Sequence, residues 1–223
     1  MRGIARNAET VRVNLILVKP RKLAFLEPLL IFAGIMIYIW KLRFVHSWSW
    51  VPLLAIVVLS HVWRHQRATA LGFRVQHLWD CLRLFGPVLL ALAVILCGVG
   101  VLLGTIRHIG VEHAAIALGL YLPWGLFQQY LLNAYFLKRF ESVLSPRAAG
   151  LTTAALFSAV HSPNWFLMLV TSFGGYGAIQ VYRRYSNLWF LGVAHATLGF
   201  LLFMAVPDSI SHHLNIGPGA LLH

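Results

Sequence analysis

The chain has 223 residues, 59% hydrophobic and 11% charged, with 18 Lys and Arg against 6 Asp and Glu for a formal net charge of +12. Soluble domains are about half apolar and a quarter charged, so this composition excludes an ordinary soluble fold, and the length predicts one bundle with no separate soluble domain. The basic balance does not imply nucleic acid, because the cations sit in short loops between apolar runs rather than on a basic face interleaved with aromatics; the partner it implies is the lipid bilayer.

Residues 1–23 carry Arg2, Arg6, Arg12, Lys19, Arg21 and Lys22, and no small-residue cleavage site follows a short apolar core, so this is not read as a signal peptide. Apolar runs follow at 24–40, 48–63, 84–106, 114–137, 149–161, 165–182 and 187–206. Repeated runs of this length predict an all-α polytopic transmembrane helix bundle of about seven spans, roughly six to eight. Ser162-Pro163-Asn164 reads as a turn, although 149–182 can also be read as one long broken helix. The expected division is a basic cytoplasmic segment at 1–23, N-terminal transmembrane helices at 24–113, a core at 114–206 and a short outer tail at 207–223.

A cytoplasmic N-terminus and seven alternating spans put Arg64, Arg67, Arg74, Arg83, Lys138, Arg139, Arg147, Arg183 and Arg184 inside, leaving Lys41, Arg43 and Arg107 outside. That asymmetry is the positive-inside pattern. Trp40, Trp48, Trp50, Trp63, Trp165 and Trp189 lie near the ends of runs, where indoles anchor at the interface. Cys81 and Cys97 are expected on one helix as packing residues, with no disulfide framework and no CxxC metal site.

Polar side chains inside apolar runs are costly unless they are satisfied or used. Three sets stand out. Gln128, Gln129 and Asn133 lie in the fourth run, with Gln129 and Asn133 four apart on one helix face. His161 ends Phe157-Ser158-Ala159-Val160-His161, and His195 sits among small residues in Gly192-Val193-Ala194-His195-Ala196-Thr197-Leu198-Gly199. Each set alone can be interhelical hydrogen bonding or helix packing. At 1.5 Å per residue, however, they lie roughly 13, 18 and 12 Å from the cytoplasmic ends of their spans. Similar depth favours one shared site over three unrelated bonds.

In order and spacing, these sets resemble the CAAX protease and bacteriocin-processing (CPBP) family of intramembrane proteases. The family's first motif is Glu-Glu, three residues, Arg; here the same spacing carries Gln128, Gln129 and Asn133. The second, Phe, three residues, His, is matched by Phe157 and His161. The third begins at His195 and has Gly199 where the family usually has Asn or Asp. Phe173-Gly174-Gly175-Tyr176-Gly177, Tyr182-Arg183-Arg184 and Leu188-Trp189 also look like the family, and the resemblance spans about 114–206. It implies an endopeptidase acting on membrane-associated or lipidated peptides without a cofactor or metal. A motif-one Glu would activate water, and the histidines would position it and stabilise the oxyanion. By this resemblance the catalytic positions are Gln128, Gln129, His161 and His195, supported by Asn133, Phe157 and Gly199. A bacterial inner membrane is the expected location.

A carboxamide cannot take a proton from water, and losing a general base typically removes about 10²–10⁴-fold in rate. Asn133 fits the change, since a buried Arg without its carboxylate would be an uncompensated charge. Glu27, the one acid well inside an apolar run, is a candidate substitute base, but is rather expected to pair with Lys22 or Arg21 at the interface. His161 or His195 can itself serve as base, with the Gln residues as orienting donors. Two histidines without a carboxylate or thiolate make a poor metal site, and Ser158 and Ser162 beside His161 do not make a triad. Three readings remain: a degenerate endopeptidase; an inactive family member acting as scaffold, chaperone or immunity-like binding protein; and a structural or transport bundle whose motifs match by accident.

Overall fold

A computed structural model describes residues 24–221. The basic segment 1–23, with Lys22 and Arg21, lies outside the described residues. The described chain is helical throughout its ordered elements. In order these are α1 (Ala24–Val45), α2 (Trp50–Trp63), α3 (Leu78–Leu102), α4 (Val111–Gln129), α5 (Pro146–Ala159), α6 (Trp165–Tyr185) and α7 (Leu188–Ala205). Helix α4 continues without a break as a wider π-helical stretch, Tyr130–Leu137, and then Lys138–Glu141. Of these, α1, α3 and α7 are long and apolar enough to cross a membrane. Both cysteines lie on α3 and are free.

The breaks follow from capping chemistry. Ser145 Oγ accepts from Ala148 N, with Pro146 in the first turn, to start α5. Asn164 Oδ1 accepts from Leu167 N at the start of α6, and Asn187 Oδ1 accepts from Phe190 N at the start of α7. The stretch 149–182 is therefore two helices parted at Ser162-Pro163-Asn164, the first of the two readings the sequence left open.

The helix ends gather on two opposite faces. One face holds the ends near Glu27, Arg64–Arg74, Lys138–Arg147 and Arg183–Asn187. There Lys138 Nζ donates to Ala70 O, Arg74 to the carbonyls of Tyr185 and Ser186, Asn187 Nδ2 to those of Arg74 and Gln76, and Arg183 to Glu141. The other face joins Arg43 to Ile216 O, Arg107 N to Met204 O, and Gly217 N to Ser162 O. Consecutive helices therefore run in alternating directions. Beyond Pro207 the chain is not a loose tail but a string of short turns packed over the Ser162–Asn164 turn, with Asn164 Nδ2 donating to Ser211 O and Asn215 O.

The core surrounds the C-terminal half of α4, where Leu132, Tyr135, Leu137 and Phe140 are fully buried against Ile179 and Leu188. In contrast, α3 presents Leu90, Val94, Ile95, Val101 and Leu102 outward. Trp48, Trp63 and Trp165 are exposed near helix ends, as interfacial anchors should be. Helices α4 and α7 cross at glycine: a Cβ on Gly125 would meet Gly192 O at 2.8 Å, and one on Gly192 would meet Leu126 Cα at 2.9 Å. Backbones this close let long side chains on either side of the crossing reach across it.

Candidate active site

Across the glycine crossing, Gln129 on α4 meets His195 on α7, with Gln129 Nε2 and His195 Nδ1 3.2 Å apart. Gln129 is buried, and its orientation is fixed from behind. Asn133 Nδ2 donates to Gln129 Oε1 at 2.8 Å and to the Gln129 carbonyl at 3.3 Å. The widened backbone of Tyr130–Leu137 begins at this point, and such π-helical turns are frequent at functional sites. Asn133 is completely buried, and its Oδ1 has no hydrogen-bond partner among the described residues. The same is true of Gln128 Oε1 and of Thr153 Oγ1 on α5.

His161 enters from the end of α5. Its Nδ1 lies 2.7 Å from the Phe157 carbonyl one turn back. The Phe157 ring stands edge-on to both histidines, with centroids 5.1 Å from His161 and 6.1 Å from His195. Gly175 on α6 leaves room for that ring, since a Cβ there would lie 2.9 Å from Phe157 Cδ1. Gln129, Asn133, His195, Phe157 and His161 thus form one continuous cluster. Gln128 is half-buried beside it and makes no bond to either histidine. Gly199 sits one turn beyond His195 against Tyr121, whose Cε1 would be 3.2 Å from an added Cβ. The Tyr121 ring fills the space a larger residue at position 199 would take.

The cluster carries no carboxylate. Among the described residues, Glu27 joins Arg64 and Arg139, Asp80 pairs with His77, Glu141 with Arg183, and Asp208 with Arg107. Nor do three His, Cys, Asp or Glu side chains gather as a metal site among them. What the cluster offers is two imidazoles whose outer nitrogens are unused, held by amides and a carbonyl. Such a set can exchange a proton at one ring and donate a hydrogen bond from the other.

Sequence reasoning missed a second polar set at the end of α1, α2 and α4. Glu27 accepts from Ser60 Oγ and Arg64 at 2.5 Å, and from Tyr135 OH and Arg139 Nε at 3.2 Å. Arg139 also donates to Ser60 Oγ at 2.9 Å and Gln66 Oε1 at 3.2 Å, beside His61. The expected partners Lys22 and Arg21 lie outside the described residues; those described are arginines from distant helices. The available signal was Tyr135 and Arg139, four apart where the fourth apolar run ends.

Residues 111–201 match the model of the type II CAAX prenyl endopeptidase Rce1-like family. This segment, somewhat under half of the chain, is similar to that family, in line with the CPBP resemblance of its motifs. No curated protein and no solved structure matches the chain. The matched stretch runs from the start of α4 into α7 and contains every member of the cluster.

Proposed function

We propose that the chain is a CPBP-type intramembrane endopeptidase with a degenerate, uncharged active site, in which His161 and His195 act in place of a carboxylate base. Its substrates are peptide bonds in membrane-associated or lipidated peptides, and its setting is a bacterial inner membrane. The carrying observation is that His161 and His195, far apart in sequence, share the Phe157 ring while Gln129 binds His195 directly. Asn133 and Phe157 support the site from behind, and Gly199 admits Tyr121 next to His195. The reading includes seven spans with the N-terminus in the cytoplasm. Alternating helix directions and the gathering of Arg64, Arg74, Lys138, Arg139 and Arg183 on one face support it.

A second reading has its own observation. Glu27, Asp80, Glu141 and Asp208 are bound elsewhere and Glu112 is exposed at the start of α4, so a member of this family without hydrolytic activity would hold a membrane segment in the same place, as scaffold, chaperone or immunity-like protein. One comparison separates the two. The native chain and a His161→Ala, His195→Ala variant are expressed at matched membrane levels beside a deletion strain, and the N- and C-termini of membrane proteins are compared by mass spectrometry. A cleavage product present only with the native chain is the expected result. Identical termini with both proteins folded and abundant would discard proteolysis for the binding role.

A further inference from the structure

The hydrogen bonds of the cluster determine where each imidazole keeps its proton. Asn133 Nδ2 donates to Gln129 Oε1, which turns the Gln129 amide nitrogen toward His195. An amide nitrogen only donates. His195 Nδ1 must then accept, leaving the ring proton on Nε2. His161 is the reverse case. Its Nδ1 faces the Phe157 carbonyl at 2.7 Å, and a carbonyl only accepts, so Nδ1 holds the proton and Nε2 keeps a lone pair. Neither Nε2 has a hydrogen-bond partner among the described residues.

We infer that Gln129 is a positioning residue that locks His195 as a hydrogen-bond donor through Nε2–H, while the Phe157 carbonyl locks His161 as an acceptor through Nε2. The two histidines are therefore opposite tautomers with opposite roles. For the catalytic consequence this rests on the endopeptidase reading; for the tautomers it does not. In that reaction water gives its proton to His161 Nε2 as its oxygen bonds to the peptide carbonyl carbon. The carbonyl electron pair moves onto oxygen, which accepts from His195 Nε2–H. When the carbon–nitrogen bond breaks, the amine leaves with the proton held by His161. Reversing the two histidines fails, because His195 has no free lone pair facing outward and the acceptor oxygen of Gln129, held by Asn133, does not face His195 Nδ1 to draw its proton there.

The test is ¹⁵N NMR of the full chain, histidine-labelled, in lipid nanodiscs at alkaline pH, where imidazoles are neutral. Signals are assigned with His161→Gln and His195→Gln. The expected native spectrum shows His161 protonated at Nδ1 and His195 at Nε2. Gln129→Glu is the second arm. Its carboxylate only accepts, so the His195 proton moves to Nδ1 while His161 stays protonated at Nδ1. The unchanged His161 signal doubles as proof that the variant is folded. A native His195 protonated at Nδ1, a native His161 protonated at Nε2, or a folded Gln129→Glu chain with His195 unmoved would each overturn the inference. Cleavage products are scored separately: their absence with these tautomers present would refute the protease reading alone.

Discussion

The two polar clusters of this chain lie on the same helix and are built on opposite principles. Toward the end of α4, Arg139 is buried with its side chain 4% exposed, and its charge is balanced by Glu27. Two turns earlier, Gln129 and Asn133 are equally buried but carry no charge at all. Charge is kept where a counter-ion and interfacial polar groups exist, and is absent where only amides and imidazoles meet. The difference shows that neutrality at Gln129 is a property of that site and not an intolerance of α4 for buried charge. It also assigns different tasks: the charged set ties α1 and α2 to α4, and the neutral set places hydrogen-bond donors and acceptors around two histidines.

Breaking the charged set should have the largest effect on stability. Glu27→Gln leaves Arg139 buried without its carboxylate, and removing one partner of a buried pair costs about 3–5 kcal/mol. The lower end applies here, since the Glu27 side chain is 23% exposed. Adding Arg139→Met should recover a large part of that loss, because the uncompensated charge then disappears. Equilibrium unfolding in detergent of the two single variants and the double gives the coupling energy. Independent, additive costs would show that the pair is not what holds α1 and α2 in place.

The neutral set is sharpened by a smaller change. Gly125→Val places a side chain where Gly192 O would lie 2.8 Å from its Cβ. Helices α4 and α7 must move apart, which costs about 1–3 kcal/mol and separates Gln129 from His195. Gly98→Val on α3 is the matched control. A Cβ there meets nothing within 4 Å, and its cost should stay within about 0.5 kcal/mol. In the termini comparison, Gly125→Val should resemble the double histidine variant and Gly98→Val the native chain. Equal behaviour of the two glycine variants would mean that the close crossing does not position the site.

Much of the neutral cluster was legible in the sequence because its members interrupt apolar runs. Gln129, Asn133, His161 and His195 are conspicuous inside hydrocarbon-like sequence, and helical spacing puts the first two on one face. The charged cluster was not legible: Glu27 stood out inside its run but read as a partner for Lys22 or Arg21, and Arg64 and Arg139 sit at run ends where charge is ordinary. Their meeting depends on which helices pack together, and periodicity carries no information about that. Nor did the sequence disclose Tyr121 against Gly199, because an aromatic ring in an apolar run looks like any other. Helix existence was clear throughout; the folding of 207–221 over the Ser162–Asn164 turn was not, since it rests on backbone carbonyls that every residue possesses.

The opposite face supplies the smallest prediction and a limit on the comparison. Asp208 pairs with Arg107, which also donates to the Phe203 and Val206 carbonyls, and with His213 at 2.9 Å. The Arg107 guanidinium holds the Asp208 carboxyl below its ordinary range. A folded-state pKa that is depressed gives stability at pH values above the unfolded pKa, about 3.9, and loses it as pH falls through the folded value. Both partners are partly exposed, so the contribution is about 0.2–1 kcal/mol. Asp208→Asn should thus lower stability slightly at neutral pH, and the gap to the native chain should close below about pH 3.9. Salt should narrow it as well, whereas the Glu27–Arg139 coupling, far less accessible to ions, should persist. If salt abolished both equally, the buried pair would be behaving as a surface one, and the contrast between charge at the rim of α4 and neutrality within it would lose its energetic basis.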